Sequence, residues 1–186
     1  PLTLHLFTMA QATGLQLMAE TVKKRTVMHL EGSCHCKAVI FSVDTPAPYP
    51  YARCYCSICR KTAGSGGFGI FIVALADTLK VDGEKNISRY HAKVEDGSVS
   101  PAERCFCKKC GSPLWLFDPR WSVHLHPHAS AFDTPLPTPP AHEDYFIESA
   151  APWVVLHEGD NIVRTDGPYT VGMEDWHRKH GLHEDD

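Results

Sequence analysis

Eight cysteines in three clusters constrain this chain more than any other feature. Cys34 and Cys36 form a C-x-C pair; Cys54, Cys56 and Cys59 form a C-x-C-x-x-C run; Cys105, Cys107 and Cys110 repeat that run. An even count is compatible with disulfides, but three observations point elsewhere. At 186 residues the chain is long enough to bury a core without cross-links. Its first thirty residues show neither a basic opening segment nor a clean apolar stretch, so a secretory signal is not expected. Cysteines two or three positions apart are poorly placed to bridge one another and well placed to grip one ion.

Zinc takes four ligands in a tetrahedron with Zn–S distances of about 2.3 Å. A short turn with two thiols supplies one edge of it. Cys107-Lys108-Lys109-Cys110-Gly111 is such a turn, and Gly111 can adopt the left-handed conformation that closes it. Cys56-Ser57-Ile58-Cys59 is another. Buried inert thiols, or redox roles for Cys54 or Cys105, are the weaker readings. The clusters are separated by 17 residues between Cys36 and Cys54 and 45 between Cys59 and Cys105. Metal held across such distances clips the fold together, so its removal is expected to destabilise the domain.

The remainder is compatible with an ordinary soluble protein: 43% hydrophobic and 22% charged residues, with no apolar run long enough to span a membrane. A net charge of -4 and the lack of a long basic arm disfavour nucleic acid and anionic lipid as partners. Residues 1–28 read as an N-terminal extension, with Met18-Ala19-Glu20 a candidate native start. Residues 29–165 read as a single domain of short strands and 166–186 as a polar, His-rich tail, loosely helical or disordered. Strands are expected around Lys37–Val43, Phe68–Ala74, Ile87–His91, Leu114–Phe117, Trp121–His128, Tyr145–Ile147 and Trp153–Leu156. The four prolines between Asp133 and Pro140 predict an irregular loop. No feature sets an oligomeric state.

Three segments carry a family resemblance: Gly32-Ser33-Cys34-His35-Cys36, Cys54-Tyr55-Cys56-Ser57-Ile58-Cys59-Arg60 and Phe106-Cys107-Lys108-Lys109-Cys110-Gly111. Together they resemble the glutathione-dependent formaldehyde-activating enzymes, a group that includes centromere protein V. Ser130-Ala131-Phe132-Asp133, Pro140-Ala141-His142 and Ala151-Pro152-Trp153 are weaker echoes. The resemblance implies a mainly β fold, a zinc-containing β-tent of small antiparallel sheets shared with a Rab-accessory chaperone. It implies two zinc ions per chain. Cys34, Cys36, Cys107 and Cys110 resemble the closed structural site, and Cys54, Cys56 and Cys59 a second, catalytic site open to water or a substrate thiol. Cys105 departs from the family pattern. Strand alternation puts it on the face of Cys107. It could compete with Cys107 for one ion or close the second site, but only Cys107 has Cys110 at turn spacing.

Zinc with four thiolates is doubly negative and with three singly negative. Lys37, Lys108 and Lys109 are candidate donors to the closed site or plain surface residues. The three-thiolate site could lower the pKa of a further thiol and hold it as a nucleophile. The resemblance thus implies a carbon–sulfur lyase, forming or cleaving a glutathione–formaldehyde adduct in a reducing, cytoplasmic setting. Arg60 and Lys61 are candidate contacts for glutathione carboxylates. Gly64-Ser65-Gly66-Gly67 could admit a substrate to the backbone or be a plain turn. His124, His126 and His128 could offer a third metal site, although three histidines on one strand converge poorly. The alternatives are a non-catalytic zinc-scaffolded binding module and a family member acting on another small organic substrate.

Overall fold

The structure, a computed structural model, describes residues 27–168 and 171–182. The expected extension therefore lies outside the described residues as far as position 26, including the candidate start at Met18. Twelve short strands, two short helices and several 3-10 turns make up the described chain. None of the helices is long and apolar enough to cross a membrane.

The strands form three small sheets. In the first, β1 (Met28–Ser33), β2 (Ile40–Thr45) and β6 (Lys80–Asp82) pair antiparallel in the order β1-β2-β6. The second is antiparallel in the order β5-β10-β9-β8-β7. It comprises β5 (Ala74–Leu75), β7 (Ile87–Lys93), β8 (Val99–Cys107), β9 (Pro113–Phe117) and β10 (His124–Pro127). The third orders β12 (Ile162–Thr165), β11 (His142–Tyr145), β3 (Tyr51–Cys54) and β4 (Gly69–Phe71). Here β11 runs parallel to both β3 and β12, so this sheet is mixed.

The first two sheets close on one apolar core. Leu30, Phe41, Val43, Ile72, Leu114, Trp115 and Leu125 are buried together, and the Phe41 and Trp115 rings meet edge to face at 5.3 Å. Alternation explains β2, where Phe41 and Val43 point inward and Ser42 and Asp44 are half-covered. Gly32 is needed where β1 meets the turn after β10: a Cβ there would lie 2.5 Å from the Ala131 carbonyl oxygen and from the Phe41 ring.

Three expected strands differ. Of Tyr145–Ile147 only Tyr145 lies in a strand: Phe146 turns left-handed at φ 58 and Ile147 opens a 3-10 turn, Ile147–Ser149. The apolar run 68–74 divides between β4 and β5, which belong to different sheets. Trp153–Leu156 forms no strand; Trp153 and Val155 are 62% and 86% exposed, an apolar segment with no strand beside it to pair with. The polar tail contains a helix, α2 (Met173–Lys179). Its Trp176 is buried, donating its indole N–H to the buried Glu143 carboxylate at 2.6 Å. His177 bonds to the Tyr49 carbonyl at 2.8 Å. The prolines of 133–140 leave that segment without regular structure.

Candidate metal centres

The first cysteine group unites two turns from distant parts of the chain. The Lys37 amide bonds back to the Cys34 carbonyl at 2.9 Å, with Lys37 in the left-handed region at φ 57. The matching turn closes through Gly111, at φ 75, whose amide bonds to the Cys107 carbonyl at 2.8 Å. Sγ of Cys34, Cys36, Cys107 and Cys110 lie within 4.8 Å of one another. The Cys34–Cys36 and Cys36–Cys107 separations are 3.6 and 3.8 Å. A tetrahedron with zinc–sulfur arms of about 2.3 Å has edges of about 3.8 Å, so these donors fit zinc in number, type and spacing.

Hydrogen-bond donors surround the group. The Val39 amide reaches Cys34 Sγ at 3.3 Å, and the Ser112 hydroxyl lies 3.2 Å from Cys110 Sγ. Ser112 and its amide lower the Cys110 thiol to about 5. The Ala38 amide also pulls on Cys36, but hydrogen bonds with Cys110, Cys34 and Cys107 and partial desolvation outweigh it and push Cys36 up to about 11. Loading a metal would release the protons these thiols carry. Lys37 does not face the sulfurs; it bonds to Ser33 and Asp133. Asp133, one of the weaker sequence echoes, accepts from Ser33 as well and ties the turn to the loop after β10. Lys108, Lys109 and His35 are exposed.

The second group is local. Cys54 ends β3, Cys56 is the N-cap of α1 (Ser57–Ala63), and Cys59 sits one turn in. Cap spacing puts Cys56 and Cys59 on the same side, where the Cys59 amide donates to Cys56 Sγ at 3.4 Å. The three sulfurs also lie within 4.8 Å of one another, and no fourth His, Cys, Asp or Glu joins them among the described residues. The donors fit a zinc with one position left over. Hydrogen bonds from Cys54 and Cys59 lower the Cys56 thiol, and burial is too weak to reverse this. Cys54 is raised by hydrogen bonding with Cys56 and Cys59 and by burial.

β3 reaches this site from a buried ion pair. Arg53 is paired with Asp144 of β11, and Arg164 of β12 approaches Asp144 from the far side at 3.8 Å. Cys54, Cys59 and Phe71 form a small buried cluster, with Leu116, Tyr145 and Phe146 packed on it. Phe146 holds φ 58, a conformation that a bulky residue adopts at a cost of about 1–2 kcal/mol; its amide bonds to the Gly167 carbonyl at 3.0 Å. His128 packs against Phe71 with ring centres 4.4 Å apart. Burial and the charge of Arg104 depress His128 to about 4, so it is neutral near pH 7.

Arg60 is partly buried, with an Nε that has no hydrogen-bond partner, and Lys61 is exposed. The glycine run is a tight packing element. A Cβ on Gly64 would meet the Phe68 carbonyl at 2.3 Å, and one on Gly67 would meet Val154 at 2.2 Å. His124 and His126 lie 6.5 Å apart by ring centres, and the three histidines form no metal group among the described residues. Cys105 belongs to neither sulfur group. It is buried opposite Trp115 and lines a cavity of about 240 Å³ with Leu79, Val81, Ile87 and Phe117.

Phe71, Phe146 and Arg104 escaped the sequence reading, and His128 was read there only as one of three candidate metal-site histidines. No local motif marks them. Arg104 directly precedes a cysteine run, but its face becomes meaningful only once β8 is known to set it opposite Leu116, which packs on the three-thiol cluster.

Comparison with known proteins follows the same lines. Residues 29–148 match the family model described as glutathione-dependent formaldehyde-activating enzyme. A Halomonas elongata protein whose name carries that description is 48% identical over 157 residues, 84% of this chain and 99% of its own. A Schizosaccharomyces pombe protein described as an uncharacterized lyase is 33% identical over 88 residues, 46% of this chain and 56% of that one. A solved Rhodobacter sphaeroides protein aligns over 58% of this chain and 92% of its own, at 24% identity and a TM-score of 0.47.

Proposed function

The chain belongs to the glutathione-dependent formaldehyde-activating enzyme family, and from that premise we propose that it is a zinc-dependent carbon–sulfur lyase. It forms or cleaves a thiol adduct such as S-hydroxymethylglutathione at the site built by Cys54, Cys56 and Cys59. The observation that carries this reading is the contrast between the sulfur groups: four thiols complete one, three make the other, and Cys105 joins neither.

Cys34, Cys36, Cys107 and Cys110 would hold a structural zinc, and Cys54, Cys56 and Cys59 a second one. When bound, the second zinc supplies positive charge that lowers the pKa of an incoming thiol and keeps it a thiolate near neutral pH. Cys56, the most exposed of the three, marks the side from which a thiol approaches. Phe71, Leu116, Tyr145 and Phe146 exclude water from the rest of the site. The Cys59 amide holds charge on Cys56. Arg60 and Lys61, next along α1, supply positive charge for glutathione carboxylates. All eight thiols are free, which suits a reducing compartment, so we place the protein in the cytoplasm.

Exchange NMR on formaldehyde and glutathione tests this. The zinc-loaded protein is expected to accelerate interconversion with the adduct. Cys56→Ser, with the four-thiol group intact, should return the rate to that of buffer. Equal rates for both proteins refute the lyase.

A further inference from the structure

Arg104 stands beside the three-thiol site without a role in the scheme above. It lies on β8 opposite Leu116 of β9, and Leu116 packs against Cys54, Cys59 and Phe71. Opposed residues of an antiparallel pair project from the same face. Arg104 therefore projects on the thiol side of the sheet, and its neighbour Cys105 on the other. His126 of β10 continues the row, again opposite Leu116. The guanidinium charge is felt at His128, whose ring packs on Phe71 of the thiol cluster. Its Nε and Nη1 are buried and have no hydrogen-bond partner. Buried donors are almost always paired, so a guanidinium in this state is prepared for an anionic oxygen.

We propose that the Nε–H and Nη1–H groups of Arg104 hold the aldehyde oxygen as it becomes the alkoxide of the thiol adduct. The proposal rests on the thiol-addition reading of this site. In the addition, the thiolate electron pair forms the new carbon–sulfur bond and the carbonyl π pair moves onto oxygen. The alkoxide then takes up a proton equivalent to the one the thiol released on ionising; cleavage runs these steps backwards. Leu116, which Arg104 opposes, packs against Cys54 and Cys59, so the guanidinium stands at the reacting end of the thiol, away from the carboxylates of glutathione. The apolar wall of Phe71, Leu116 and Phe146 keeps water from diluting that charge.

The test compares wild type, Arg104→Gln and Arg104→Lys, all zinc-loaded, with two thiols: glutathione and mercaptoethanol, which has no carboxylate. Adduct formation is followed by NMR, and binding of each thiol without aldehyde by calorimetry. Arg104→Gln is expected to slow adduct formation about 100-fold with both thiols. Metal content should stay at the wild-type value, and thiol affinity should change by less than about threefold, since the lost contact forms only with the aldehyde. Arg104→Lys should restore part of the rate. A defect confined to glutathione would assign Arg104 to a carboxylate instead. A matching loss of thiol affinity would assign it to the thiolate, and an unchanged rate would leave it a packing residue; each overturns the proposal. If wild type bound neither thiol, the lyase reading would fall and take this one with it, which the wild-type control shows by itself.

Discussion

The sulfurs of Cys36 and Cys107 lie 3.8 Å apart although the residues are 71 positions apart in the chain. This contact ties the turn between β1 and β2 to the turn between β8 and β9, and so joins the first two sheets at their rim. Closing a loop of that length carries an entropy cost that two thiols alone do not offset. A shared metal ion would.

Cys107→Ser should therefore lose one zinc per chain and lower the Tm by roughly 10 °C or more. Cys56→Ser should lose the other zinc with a smaller fall in Tm, because its group lies within one short segment. Metal analysis and thermal unfolding of the two variants check the pair. Equal effects on stability would contradict the division into structural and reactive sites.

Cys105→Ala should keep both zinc ions. Its cost is that of a small core truncation, about 1–2 kcal/mol, since the thiol packs beside Trp115 and meets neither sulfur group. Metal content of the purified variant decides this. A drop to one zinc would make Cys105 a ligand.

His128 should contribute to acid sensitivity. Its folded-state pKa is depressed to about 4, burial being the main cause and the Arg104 charge the second. The folded state then binds fewer protons than the unfolded one between about pH 6.5 and 4. The neutral ring costs no stability above that window, and stability is lost as pH falls through it. His128→Gln should flatten this part of the pH profile relative to wild type, as read by urea unfolding of metal-free protein. Parallel profiles would contradict the assignment.

Glu143 carries the opposite sign. Burial raises its carboxyl above the ordinary value, with the Trp176 hydrogen bond opposing the rise. Its favourable contribution is complete below the ordinary carboxylate pKa and is lost as pH rises through the folded value. Glu143→Gln should remove that loss while retaining an acceptor for Trp176. Trp176→Ala should release α2 and cost about 3 kcal/mol. Hydrogen exchange over 173–179 reads the release; unchanged protection would contradict docking through Trp176.

Much of the metal chemistry was legible in the sequence because ligand spacing is local. The turn closed by Gly111 and the proline-rich loop followed from single residues with restricted conformations. The weaker echoes acquire reasons only in the fold: Asp133 anchors the Cys34 turn, and Trp153 lies against Gly67. The docking of α2 was hidden because one buried tryptophan in a polar segment has no period. The parallel placement of β11 was hidden too, since its partners lie far away in the chain, as do Trp176 and Arg53, which bind its Glu143 and Asp144. Arg104 was hidden for the same reason: its meaning depends on what its sheet face covers.

The most direct test of the account is a thiol titration of the cobalt-substituted protein. Cobalt reports its ligands through its absorption spectrum. With both sites loaded, glutathione should change the spectrum with a stoichiometry of one thiol per chain, and Cys56→Ser should abolish the change while keeping the four-thiolate spectrum of the other site. A wild-type spectrum indifferent to glutathione would contradict an open site at Cys54, Cys56 and Cys59.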